Sequence, residues 1–417
     1  MNTLNYKVTE LDNGIRIITE HISHVQSMSM GVWVGVGSRF EEAAENGITH
    51  FIEHMLFKGT ERRSAADIAE QIDAVGGQIN AFTSKEYTCY YVKALSEDFQ
   101  LAADILADMV FHSKFDEKEV DKERQVIIEE IKMYEDTPDE LVNDLFAADI
   151  WGDHPLGRTI LGTEETLDAL TGEKMRAYMR KYYTGENIVI SVVGNIDHDA
   201  VVQQVRELFS HVPRGTINQC QPAPGGNGGV FCHYKDIGQA QISLGVPGVS
   251  NDSDLIYPIG LLNTYLGGGL SSRLVQRIRE EMGLAYSVYS YHGAYSDTGK
   301  MVFAVGTRPE NCQKVLDLIA AELRQVAEKG IGQEELHRAF CQMKGSLFMG
   351  LESVNSRMNK LGRSLLVLGR VISPEETVQE LERVTPADIQ KMAKQLFKSG
   401  QYTLTVLGPV EELTFAI

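Results

Sequence analysis

The stretch TGEKMRAYMRKYY (171–183), followed after four residues by IVISVVG (188–194), decides the fold, because both parts of it return further along the chain. TPADIQKMAKQLF (385–397) and YTLTVLG (402–408) stand 214 residues later, and SMGV (29–32) meets SLGV (243–246) at the same offset. A repeat of this kind marks a duplicated α+β domain. Between the copies, PRGTINQCQPAPGGNGG (213–229) has the composition of a linker. The expected organisation is an N-terminal domain over 1–213, a linker over 214–229 and a homologous C-terminal domain over 230–417.

The totals narrow the function. At 417 residues the chain exceeds one ordinary core, and its apolar and charged fractions are those of a globular protein. A net charge of −19 argues against nucleic acid, which needs a basic patch. No run approaches the roughly 18 apolar residues of a membrane span, and MNTLNYK at the start has neither an apolar signal core nor an Arg-rich presequence. No membrane partner is expected. The five cysteines are odd in number, scattered and never spaced as C-x-x-C, which fits a reducing cytoplasm.

Working outward to the first copy, residues 6–36 read as successive strands around an Asp12-Asn13-Gly14 turn. NGITHFIEHMLFKG (46–59) then reads as a helix, with Asn46 as N-cap and Gly59 as stop. At about 100° per residue His50 and His54 share one face, with Glu53 within a roughly 100° arc. Imidazoles at i and i+4 can both reach a tetrahedral Zn2+ and leave room for a third ligand and a water, whose pKa the ion lowers. The adjacent carboxylate can take the proton. H-x-x-E-H is the reverse of the commoner H-E-x-x-H. The alternative is a buried helix whose histidines are satisfied by backbone groups.

Ser64 and Asp67 form a capping box for a second helix that stops at Gly76-Gly77, and 78–95 reads as a hairpin of strands. From Asp116 a helix carries an apolar stripe of Val120, Ile127, Ile131 and Tyr134. Glu123 and Glu130, seven apart, lie within about 20° on a neighbouring line, and Glu129 points about 100° away. A solvated helix face is the ordinary explanation of such glutamates.

The repeat supplies a control. At an offset of 214, His50, Glu53 and His54 correspond to Thr264, Gly267 and Gly268, and Glu130 to Lys344. The fold itself therefore does not require the histidines, and only the first copy can bind metal.

GSRFE (37–41), GITHFIEHMLFKGT (47–60), NAFTSKEYTCYY (80–91), ERQVIIEEI (123–131) and GLAYSVYS (283–290) resemble the inverted-motif zinc peptidases that include pitrilysin, insulin-degrading enzyme and the mitochondrial processing peptidases. Over essentially the whole chain, the likeness is greatest to bacterial processing-peptidase-like proteins. The resemblance implies two homologous α/β-sandwich domains with mixed, mainly antiparallel sheets, forming half of a clamshell chamber. It implies one Zn2+ per chain on His50, His54 and Glu130, the last 76 residues past His54 as in the family, which selects it over Glu129. Glu53 is then the general base, and Glu123 a carboxylate supporting the ligands.

In the second copy, Arg279 and Tyr286 have the family spacing of the pair that holds the substrate carbonyl. Asn80 and Ala81 resemble its substrate-pairing edge strand, and Gly267, Gly268 and Gly269 its glycine-rich loop, for which a tight turn or flexible loop is the other reading. The implied activity is endopeptidase cleavage of unfolded peptides or presequence-like segments. The implied assembly is a homodimer, with a heterodimer with an inactive paralogue as the alternative. A non-catalytic peptide-binding or assembly subunit of the same fold is the rival function.

Overall fold

The computed structural model describes residues 5–398 and 400–416. Its first sheet contains β1 (Tyr6–Glu10), β2 (Arg16–His21), β3 (Ser27–Val34), β4 (Gln78–Thr83), β5 (Thr88–Leu95) and β6 (Ile188–Gly194), in spatial order β1-β2-β6-β3-β5-β4. The second contains β7 (Gly229–His233), β8 (Ala240–Pro247), β9 (Ala285–Ala294), β10 (Gly299–Thr307) and β11 (Thr403–Leu407), in order β7-β11-β8-β10-β9. With β1 set aside, the two orders are the same. The one parallel pairing in each also falls at the same place, β2–β6 and β7–β11. The duplicated α+β fold expected from the repeat, with the mixed, mainly antiparallel sheets that the resemblance implies, is the fold observed.

The helices α1 (Ile48–Leu56), α2 (Ala65–Ala74), α3 (Phe99–His112), α4 (Glu117–Glu135) and α5 (Pro138–Trp151) follow in the first half of the chain. The Ser64–Asp67 capping box closes as predicted, with Asp67 N donating to Ser64 Oγ and Ser64 N to the Asp67 carboxylate. No helix among the described residues is long and apolar enough to cross a membrane.

The compact units do not follow a single cut at 214–229. One unit comprises Met1–Ile131, Thr159–Gln221 and Phe348–Pro374; the other comprises Lys132–Arg158, Pro222–Leu347 and Glu375–Ile417. Each copy thus gives one helical segment to the other's unit. The segments correspond in the repeat, one carrying α5 and the other the helix Val354–Leu368. Residues 213–228 contain no helix or strand, as a linker requires, but the crossing of the chain between units happens at other places too.

In the first unit the sheet is covered on both faces, so β3 reads as a nearly unbroken apolar run. Ile17, Val32 and Ile190 face a core shared with Phe51, Ile52 and Met55 of α1. Their neighbours Ile18, Trp33 and Val189 point the other way, onto Met358, Leu361 and Leu365 of the helix Val354–Leu368. Burying each of these large apolar side chains stabilises the unit by about 2 kcal/mol. A Cβ on Gly31 would come within 2.5 Å of Met358 Sδ. In the second unit a Cβ on Gly245, 214 residues later, would come within 2.1 Å of the Phe146 ring on α5. The repeated strand glycine is there because a helix from the other copy lies directly over it.

Candidate metal centre

The cluster is built on α1 and α4. The start of α1 differs from expectation: Gly47, in the left-handed region at φ 95°, occupies the N-cap, and Asn46 lies before it. A cap is still supplied, by Glu41 from the preceding segment. Its Oε2 accepts from Gly47 N at 2.8 Å and its Oε1 from Thr49 N at 2.9 Å, while Asn46 Nδ2 donates to Oε2 at 2.9 Å. Burial raises the pKa of Glu41, and these hydrogen bonds oppose the rise. The carboxylate satisfies the orphan amides at a helix end where a side chain on Gly47 cannot.

On α1, His50 is 8% exposed and His54 projects further out. Burial lowers the His50 pKa to about 3, with His54 adding to the shift and Glu123 opposing it, so the ring is neutral at pH 7. On α4, Glu123 and Glu130 straddle one imidazole. His54 Nδ1 donates to Glu123 Oε1 at 2.9 Å, and Glu130 Oε2 lies 3.6 Å from His54 Nε2 and 3.8 Å from His50 Nε2. With Nδ1 bonded to Glu123, it is Nε2 that faces Glu130 and His50 and is the ring nitrogen placed to ligate. Glu129 is exposed and lies outside this cluster.

Donor atoms of His50, His54 and Glu130 all lie within 4.8 Å of one another. A tetrahedral zinc with bonds near 2.1 Å sets its ligand atoms about 3.4 Å apart, so the 3.6 and 3.8 Å separations suit such an ion. Among the described residues His50 Nδ1 is buried without a hydrogen-bond partner, and none of them fixes this ring as Glu123 fixes His54. Two imidazoles and one carboxylate form a donor set suited to zinc. The residues present fit the ion.

Glu53 lies between the two histidines in sequence and is largely buried. Burial raises its pKa, while Thr83 and His54 pull it down. Thr83 Oγ1 on β4 donates to Glu53 Oε2 at 2.5 Å. Lys58 Nζ reaches Glu123 Oε2 at 2.6 Å. Burial alone would raise the Glu123 pKa, but the bonds from His54 and Lys58 carry it below the usual carboxylate range. Thr83, Lys58 and Glu41 are the supporting residues that sequence reasoning missed. All three stand inside motifs it had singled out, yet their partners are distant in the chain or lie off the helix face under consideration.

The remaining predicted residues fall as follows. Asn80 and Ala81 lie on β4, the edge of the first sheet, and Ala81 N donates to Asn80 Oδ1 at 2.8 Å. Arg279 and Tyr286 belong to the second unit. The turn at Gly283, φ 61°, folds β9 back so that the Arg279 guanidinium sits 4.8 Å from the Tyr286 ring, itself 81% exposed. Gly267 ends the helix Ile256–Gly267 and Gly268 caps it. A Cβ on Gly267 would come within 2.6 Å of Ser290 N, so close packing against backbone explains that glycine, whereas one on Gly269 would meet only the movable end of the Gln342 side chain.

Residues 16–164 match the family described as Insulinase (Peptidase family M16), and 169–343 match the one described as Peptidase M16 inactive domain. The chain is 46% identical to the uncharacterized zinc protease YmxG of Bacillus subtilis, over 95% of this chain and 97% of that protein. It is 43% identical to an uncharacterized zinc protease of Streptomyces coelicolor, over 97% and 90%. Among solved structures, a peptidase M16 inactive domain from Pseudomonas fluorescens superposes with a TM-score of 0.92 at 18% identity, covering 99% of this chain and all of that one. A protease from Helicobacter pylori gives 0.90 at 22%, covering 98% and 100%. These two similarities concern the fold alone.

Proposed function

Because the chain belongs to peptidase family M16, the insulinase family, we propose that it is a zinc-dependent endopeptidase acting on unfolded peptides. The observation that carries this reading is the convergence of His50, His54 and Glu130, with Glu53 on the same helix. His50, His54 and Glu130 would hold one zinc per chain, and the ion would supply Lewis acidity toward water and the scissile carbonyl. Glu53 takes the proton of the attacking water and returns it to the leaving amine. Glu123 holds His54 in the tautomer that offers Nε2, and Lys58 keeps Glu123 ionised.

Substrate specificity follows from β4. An edge strand pairs with extended main chain, so Asn80 and Ala81 would take a peptide as an added strand, with little sequence preference. Folded proteins would resist. Arg279 and Tyr286 are assigned to the carbonyl oxygen, where preorganised donors are worth several kcal/mol; their mutual contact is consistent with a pair acting together. We place the enzyme in the cytoplasm, as a homodimer. Its five cysteines form no disulfide, which is consistent with a reducing compartment.

The test is metal content by mass spectrometry, paired with cleavage of an unstructured peptide before and after chelation. About one zinc per chain, with activity lost on chelation and restored by zinc, is expected. A folded protein with neither metal nor turnover would instead be a peptide-binding or assembly subunit.

A further inference from the structure

The side chains of β4 alternate between two environments. Ile79 and Ala81 pack toward the core that contains α1, whereas Phe82 turns to the opposite face, against Trp33, Tyr87 and Tyr91. Two residues past Ala81, Thr83 therefore lies on the α1 side, where its hydroxyl meets Glu53. The fold fixes its position closely. Thr83 pairs with Thr88, whose Oγ1 donates to Val36 O at 2.9 Å, and the hairpin turn is closed by Ser84 Oγ donating to Tyr87 O and accepting from Tyr87 N. Among the described residues, Thr83 provides the hydrogen bond to the Glu53 carboxylate.

Resting on the peptidase reading, we propose that Thr83 is a positioning residue for the general base: its hydroxyl fixes the plane of the Glu53 carboxylate and ties it to the strand on which substrate would pair. A carboxylate bound at Oε2 keeps Oε1 for the proton of the attacking water. Without the bond the carboxylate turns about its terminal torsion, and a displacement of about 1 Å can cost about 10²-fold in rate. The arrangement places substrate docking and proton transfer on one rigid element. The registered strand carries Asn80 and Ala81 for the peptide main chain and Thr83 for the base.

The test compares Thr83→Val, which keeps the β-branched shape and removes the donor, with Thr83→Ser, which keeps the donor. Full-length, zinc-loaded proteins are measured for zinc stoichiometry, for kcat and KM on an unstructured peptide, and, after chelation, for affinity toward that peptide by fluorescence anisotropy. Thr83→Val should lose about 10- to 100-fold in kcat, with zinc content unchanged and KM and peptide affinity within about twofold. Thr83→Ser should stay within about threefold of wild type, and Thr83→Ala, which also lacks the donor, should repeat the valine loss. Wild-type kcat in Thr83→Val, a Thr83→Ser as slow as the valine variant, or a loss carried by KM and peptide affinity overturns the proposal. An inactive wild type is a different result, because it removes the peptidase reading itself.

Discussion

The two copies of the repeat share a sheet order and differ at one helix. In the first, α1 buries His50 and is capped by a carboxylate reached from outside the helix. In the second, the helix Ile256–Gly267 fills its core with Leu261, Leu262 and Leu266, all fully buried, and ends at the glycine that corresponds to Glu53. Position 255, which answers to Glu41, is Leu, and Lys344 answers to Glu130. Both copies make their sheet in the same strand order, so the polar groups of the first are not what holds the fold. They cost stability, since buried polar groups must each be hydrogen-bonded or left unsatisfied. The difference teaches that the site is an addition to a scaffold that stands without it.

Paired substitutions break this comparison most directly. Glu130→Gln should abolish zinc retention and all measurable cleavage, whereas Lys344→Gln, at the corresponding position of the second copy, should leave zinc content and cleavage within about twofold of wild type. Glu53→Gln, assayed in the same way, should keep its zinc and lose about 10³-fold or more in kcat, because a general base is removed and no ligand is. Cleavage at a near wild-type rate would remove Glu53 from its role.

Stability sharpens the same contrast at lower amplitude. Glu41→Gln leaves a single oxygen to accept from Gly47 N and Thr49 N and turns an NH2 donor toward the other, and denaturant unfolding should register a loss of about 2 kcal/mol. The second copy begins its helix from Leu255 with no such carboxylate and gives no equivalent handle.

The pH dependence should be shared, since each unit holds imidazoles whose pKa burial lowers. Burial lowers His50 to about 3 and His292 to about 4, the latter also accepting from Val249 N. For both, the folded pKa lies below the unfolded value near 6.5, so between these values the unfolded chain binds more protons. Stability of the chelated protein should therefore fall as pH drops from about 6.5 toward 3. His50→Gln should remove the His50 contribution to that slope and leave those of His292 and of His198 and His211, which burial also lowers; an unchanged slope would show that His50 does not titrate on unfolding.

Much of the site is legible in the sequence. The i, i+4 histidines and the seven-residue interval of Glu123 and Glu130 are helix-face relations, and a helix face is settled locally by 3.6 residues per turn. The hairpin over 78–95 and the Ser64 capping box are local for the same reason. Asn46 was misread as the cap because the competing acceptor, Glu41, reaches back from a separate segment, and nothing in helix propensity distinguishes the two. Thr83 escaped notice because its partner is 30 residues away on another element.

By itself the sequence determined the duplication, the strand and helix periods and the helix face that His50 and His54 share, all of which follow from spacing along one element or between two copies. Only the tertiary structure decided that α5 and Val354–Leu368 cover the sheets of the opposite copies. An amphipathic period says which side of a helix is apolar, not which apolar surface will receive it; that choice is made by shape, here by Gly31 and Gly245, whose missing side chains leave room for Met358 and Phe146.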